Sequence, residues 1–122
     1  MMKIYFLDTC STCQRIIKEI DHEDQFEYQN IKTDPISAED LDIFKEKVGS
    51  YEALFNRRAM KYRQRGLNNQ ELNELDYRTL ILEEYTFLKR PVIVIEDEIF
   101  VGNAKKTVAA AKEKLEQLQE QN

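Results

Sequence analysis

The sequence is short of the residues that bind metals: histidine occurs once, at position 22, and cysteine twice, at positions 10 and 13. A closed structural zinc site is built from four Cys or His ligands. Only His22 could join the two thiols, and it lies at the far end of the helix they open, so no such site can be assembled. Long apolar runs are missing too. No segment approaches the roughly 20 apolar residues that span a bilayer, and the N-terminus enters a strand directly with no signal-peptide pattern. The expected setting is the cytoplasm, with no membrane partner. Nor is positive charge in excess: the formal net charge is -5, which argues against broad nucleic-acid binding because that relies on surplus Lys and Arg. A local basic patch is still allowed. With 42% hydrophobic and 34% charged residues, the chain reads as one soluble domain over 1–122, long enough to bury a core without staples.

What the sequence does contain is Cys10-Ser11-Thr12-Cys13, placed directly after the apolar run Ile4-Tyr5-Phe6-Leu7. A strand there gives way to a helix. The free N–H groups and positive dipole end at a helix start stabilise a thiolate, lowering a cysteine pKa from about 8.5 toward roughly 3.5 to 7.5. Cys10 is therefore the candidate nucleophile. Cys13, Ile16, Ile17 and Ile20 fall at i, i+3, i+4 and i+7, the apolar stripe of one helix face, so Cys13 should look inward while Cys10 looks outward. An outer thiolate that attacks and an inner thiol that resolves is the arrangement thiol exchange requires. The competing reading is two unrelated cysteines, one a weak cap and one a small core residue; the flanking strand and helix favour the pair, and in a reducing compartment such a pair is catalytic more often than structural.

The order of patterns suggests the fold. Lys3 to Leu7 reads as a buried strand, Thr12 to His22 as a helix, and Phe26 to Ile31 as a second strand with Phe26, Tyr28 and Asn30 on one side, a βαβ unit with parallel strands. A helical insertion fills about 32–87, too long for a loop. Within it, Ser37 caps a helix with Asp40 three residues on, Leu41, Phe44 and Val48 face inward, and Gly49 ends it. Short helical pieces are expected at Tyr51 to Asn56 and Gln70 to Leu75, then a helix from Asp76 to Glu84. Pro91 leads into Val92-Ile93-Val94-Ile95, a strand buried on both faces. Asp97-Glu98 turns into an antiparallel Ile99-Phe100-Val101, and a last amphipathic helix from Ala104 to Glu120 aligns Val108, Ala111, Leu115 and Leu118. A coiled coil is the weaker reading of so short a repeat. The expected architecture is α/β: a thioredoxin-like fold with a four-stranded mixed sheet, flanking helices and the insertion between strands 2 and 3.

Several residues in this order and spacing carry a further message: Cys10 after the first strand, Asn56-Arg57-Arg58, Gly66-Leu67, Leu88-Lys89-Arg90-Pro91 and Val101-Gly102-Asn103. With them the chain resembles the glutaredoxin-dependent arsenate reductase (ArsC) family, which also holds the Spx regulators and the YffB-like proteins, over nearly all of Lys3 to Leu118. The resemblance implies that Cys10 is the nucleophile, that Arg58, with Arg57 as register alternative, and Arg90 hold negative charge, and that the peptide bond before Pro91 is cis and faces the cysteine. Guanidinium suits this task because it never deprotonates and offers forked N–H donors. The plain alternative is that Arg57, Arg58, Lys61, Arg63 and Arg65 form a solvated helix face. Thr12 and Pro91 are read as the positions that contact the thiol reductant, glutathione or glutaredoxin; no bound cofactor and no metal are expected.

Two departures from the reductases bear on activity. Where they carry a third arginine after the last strand this chain has Ala104-Lys105-Lys106, whose lysines lack the forked geometry, so oxyanion affinity should fall. Cys13 gives a pair able to close on itself, as in Spx-like members. Three readings follow: an oxidoreductase in which Cys10 attacks an oxyanion or disulfide and glutathione, glutaredoxin or Cys13 completes reduction; a redox-sensing regulator that docks on RNA polymerase; and a family scaffold without either activity. The first is favoured.

Overall fold

The computed structural model describes residues 1–120. The chain forms two compact units, one built from Met1–Asp34 and the stretch from Arg90 onward, the other from Pro35–Lys89.

The first unit holds a four-stranded mixed sheet made of β1 (Met2–Phe6), β2 (Glu27–Asn30), β3 (Val92–Ile95) and β4 (Glu98–Val101), in the order β2-β1-β3-β4. β1 runs parallel to β2, with Ile4 opposite Tyr28, because helix α1 (Ser11–Ile20) carries the chain back between them. β3 returns antiparallel to β1 with Ile93 opposite Ile4, and β4 pairs antiparallel with β3. All four residues of β3 are buried, as an unbroken branched run in a central strand should be.

Sequence period decides how the helices dock. Cys13, Ile16 and Ile20 of α1 and Val108, Ala111 and Leu115 of α5 (Lys105–Glu120) are buried, one stripe on each helix. Ile16, Ile20, Val108, Ala111 and Leu115 meet Ile4, Ile93, Ile95 and Phe26 in one apolar cluster. Burying an isoleucine side chain contributes about 1.5–3 kcal/mol, so Ile16 and Ile20 fix the rotation of α1 and thereby turn Cys13 inward. Tyr28 lies on the side expected for it and meets the Phe6 ring edge-on at 5.9 Å.

The second unit is helical: α2 (Ala38–Val48), α3 (Met60–Gln64) and α4 (Glu74–Glu83), linked by single 3-10 turns. Ser37 Oγ accepts from the Asp40 N–H at 3.0 Å and Gly49, at φ 102°, closes α2, the caps the sequence indicates. Arg78 of α4 clasps Asp42 of α2 through Nε and Nη2 at 2.8 and 3.2 Å. Phe55 forms the aromatic centre, its ring within 5.0 Å of both Tyr77 and Phe87.

Two local expectations are corrected and one element is added. Gln70 to Leu75 is not a helical piece: 70–73 is non-helical and α4 starts at Glu74, because Asn73 and Asp76 close a reciprocal capping box that fixes the start there. Between the two expected short pieces lies a further helix, α3, after Ala59, so part of the basic stretch is helical, as the alternative reading of it as a helix face has it. The hairpin turn is Glu96-Asp97 rather than Asp97-Glu98. Glu98 already pairs with Ile95, and Glu96 takes φ 57° with its N–H on the Met1 carbonyl and its carboxylate 3.1 Å from the Met1 ammonium.

Candidate active site

Cys10 occupies the N-cap position of α1, with extended backbone angles (φ -93°, ψ 107°) and its N–H on the Leu7 carbonyl at 3.0 Å. Sulfur is a weak acceptor, and no cap hydrogen bond of the kind Ser37 makes is closed here. The donors of the first turn are thereby left for a sulfur anion. Cys10 is partly exposed and Cys13 is 0% exposed, and both are free thiols.

The two sulfurs are pushed in opposite directions. Burial raises the Cys10 pKa, but the Cys13 N–H, the Cys13 thiol, the positive charge of Arg90 and a hydrogen bond from Arg90 together outweigh it, and the thiol sits below its ordinary value. Cys13 is pushed up to about 12: burial dominates, and the neighbouring Cys10 sulfur adds to it against the Leu7 N–H and the Arg90 charge, which favour the thiolate. At neutral pH the outer sulfur is the better nucleophile and the inner one is held as a thiol.

Arg90 is half-buried and immediately precedes the cis Arg90–Pro91 peptide bond; Pro91 is buried and its carbonyl accepts from the Gly102 N–H at 2.9 Å. Cys10, Cys13 and Arg90 thus come together. Thr12 sits between the cysteines in the first turn of α1, partly exposed. Arg58 belongs to the second unit, where its side chain is exposed and its N–H donates to Asn56 Oδ1 at 3.0 Å. The register alternative, Arg57, is engaged elsewhere, with Nη2 on the Glu52 carboxylate and on the Tyr77 hydroxyl. Lys105 and Lys106 are exposed in the first turn of α5. Among the described residues no three His, Cys, Asp or Glu side chains gather as a metal site, and no helix is long and apolar enough to cross a membrane.

Two contributors had no side-chain signal or only a faint one. The Leu7 N–H acts through the backbone, invisible in residue identity. Gln14 reaches back from α1 to donate to the Asp8 carbonyl at 3.1 Å, and only its place four residues after a weak cap hinted at it.

The model of the ArsC family matches residues 5–111, almost the whole chain. The chain belongs to the ArsC family. Its sheet order and flanking helices are those of the family's thioredoxin-like fold. Similar proteins include an uncharacterized protein of Haemophilus influenzae, 26% identical over 115 residues and covering 91% of this chain and 98% of that protein. The global transcriptional regulator Spx of Streptococcus agalactiae is 25% identical over 104 residues, 84% of this chain and 76% of the regulator. The crystal structure of a possible arsenate reductase from Streptococcus mutans superposes with a TM-score of 0.71 at 27% identity, covering 86% of this chain and 92% of that one. The family thus joins thiol-dependent oxidoreductases and regulators, and this chain carries the cysteine pair within it.

Proposed function

We propose that the protein is a thiol-disulfide oxidoreductase in which Cys10 attacks and Cys13 resolves. One observation carries the reading: two thiols in hydrogen-bond contact, the accessible one lowered in pKa and the buried one raised to about 12.

The Cys10 thiolate attacks one sulfur of a disulfide, forming a mixed disulfide as the substrate S–S bond breaks and the first thiolate leaves. Cys13 then gives its proton to that thiolate or to water, attacks the Cys10 sulfur and expels the second thiolate. Two electrons pass to the substrate and the protein holds the Cys10–Cys13 disulfide, which glutathione or a glutaredoxin dithiol reduces. With an oxyanion such as arsenate, sulfur replaces one oxygen ligand, which leaves as water, and a second thiol attacking that sulfur reduces the centre by two electrons. Arg90 holds the negative charge in either case.

The order of events is built into the pair. While Cys10 is an anion it opposes ionisation of Cys13; once Cys10 is tied up as a mixed disulfide that opposition is gone, and the Leu7 N–H and Arg90 still favour the inner thiolate. Cys13 therefore becomes reactive only after Cys10 has been used. A reducing compartment such as the cytoplasm suits this cycle.

The test is turnover by wild type, Cys10→Ser and Cys13→Ser with glutathione and glutaredoxin, comparing arsenate with a glutathione mixed disulfide. Loss of turnover in Cys10→Ser, with a Cys10-linked mixed disulfide accumulating in Cys13→Ser by mass spectrometry, is expected. Full turnover in Cys10→Ser would refute the reading. The Spx relatives support a second reading, a regulator whose surface changes on Cys10–Cys13 oxidation and which docks on RNA polymerase. Wild type without turnover but with redox-dependent co-purification of the polymerase would favour it.

A further inference from the structure

We infer that Gln14 is a positioning residue for the Cys10 thiolate, clamping the loop that carries Cys10 while leaving the helix's own donors to the sulfur. The inference rests on the proposed role of Cys10 as nucleophile.

The three long helices with defined caps in this protein start in two ways. At α2 and α4 an oxygen of the cap residue, Ser37 or Asn73, takes the N–H three residues on, at 3.0 and 2.9 Å, and so holds the incoming chain to the helix. That bond consumes one of the few unpaired N–H groups a helix start possesses. At α1 the cap residue is Cys10 itself; the Cys13 N–H, three residues on, is a donor that favours its thiolate, and no cap oxygen holds the incoming chain to the helix.

Gln14 ties the incoming chain to the helix from another direction. Its backbone N–H donates to the Cys10 carbonyl at 3.2 Å, continuing the helix, and its side-chain Nε2 donates to the Asp8 carbonyl at 3.1 Å, two residues before the cap. The Cys10 N–H on the Leu7 carbonyl at 3.0 Å forms the other arm. The loop Asp8-Thr9 is thereby tied to α1 on the far side of Cys10 through a carbonyl, not through an N–H. Residues 8 and 9 are exposed, so the loop has little packing to hold it. Without the tie the sulfur spends less time against the Cys13 N–H and Arg90.

The measurement is the pH dependence of alkylation at Cys10, read by peptide mass mapping in wild type, Gln14→Met and Gln14→Lys. Methionine matches glutamine in length and helix propensity but has no donor; lysine restores a donor. The expected result is a higher midpoint and a rate at neutral pH reduced about threefold to tenfold in Gln14→Met, the factor one neutral hydrogen bond confers, with recovery in Gln14→Lys and unchanged thermal melting in both. An unmoved midpoint in Gln14→Met, or an equal shift in both variants, would overturn the inference while leaving Cys10 as nucleophile. A wild-type Cys10 that titrates in the ordinary thiol range would remove the nucleophile reading itself.

Discussion

Arg90 acts on the Cys10 sulfur twice over, by charge and by a hydrogen bond, although the two residues come from opposite ends of the chain. The fold arranges this meeting. α1 starts where β1 ends, and β3 lies antiparallel beside β1, so the residue just before β3 arrives at the end of the sheet where α1 begins.

Replacing Arg90 should therefore raise the Cys10 pKa. In Arg90→Met the rate of Cys10 alkylation near pH 7 is expected to fall about tenfold, the scale of one charge-assisted hydrogen bond. Arg90→Lys should fall between, since an ammonium keeps the charge and loses the fork. Rates measured by iodoacetamide trapping and mass mapping decide it, and an unchanged rate in Arg90→Met would contradict the electrostatic account.

Much of this site could be read from residue order. Cys13 at the head of an Ile16-Ile17-Ile20 stripe announces an inward thiol, and the burial of Cys13, Ile16 and Ile20 bears it out. Pro91 before four branched residues marks the entry to the central strand. Other features were hidden because they depend on backbone groups or on partners distant in sequence. The Leu7 N–H favours the Cys13 thiolate whatever side chain residue 7 carries. Glu74 accepts from the Tyr51 and Glu52 N–H groups at 2.7 and 3.1 Å, a pairing no local period reports. The non-helical Gln70 to Asn73 has a related cause: a capping box is a reciprocal pair of bonds, and Asn73 with Asp76 starts α4 at Glu74 against the helical look of Gln70 to Leu72.

The raised pKa of Cys13 makes a prediction about stability. Its folded value, about 12, lies above the ordinary 9.0 that the unfolded chain should show. A folded state that holds the proton more tightly is favoured fully below the unfolded value and loses that advantage as pH rises from about 9 to about 12. Under reducing conditions, urea unfolding of wild type should therefore lose more stability across this window than Cys13→Ala, by roughly 1–3 kcal/mol after discounting the upper bound of 1.36 kcal/mol per pKa unit. Tyrosine and lysine ionisation occur in both proteins and drop out of the difference. Parallel pH profiles would show that the inner thiol is not held neutral by the fold.

Arg57 and Arg58 are neighbours with different commitments. Arg57 is engaged inside its own unit: Nη2 donates to Glu52 and, at 2.9 Å, to the Tyr77 hydroxyl, and the guanidinium lies 5.6 Å from the Tyr77 ring centroid. Arg58 exposes its side chain. Arg57→Ala should lower the stability of the protein by about 0.5–1.5 kcal/mol, the sum of a half-exposed ion pair and a surface cation–π contact. Arg58→Ala should leave the melting temperature nearly unchanged, as surface substitutions do. If Arg58 takes the charge-holding role that the family resemblance implies, its removal should also slow turnover of anionic substrates about tenfold, the loss expected when a forked cation is removed from an anion, and affect a neutral disulfide less. Melting curves and turnover on charged and neutral disulfides separate the two residues. If Arg57→Ala instead carries the selective loss toward anions while Arg58→Ala is silent, the charge-holding role moves one position along the chain.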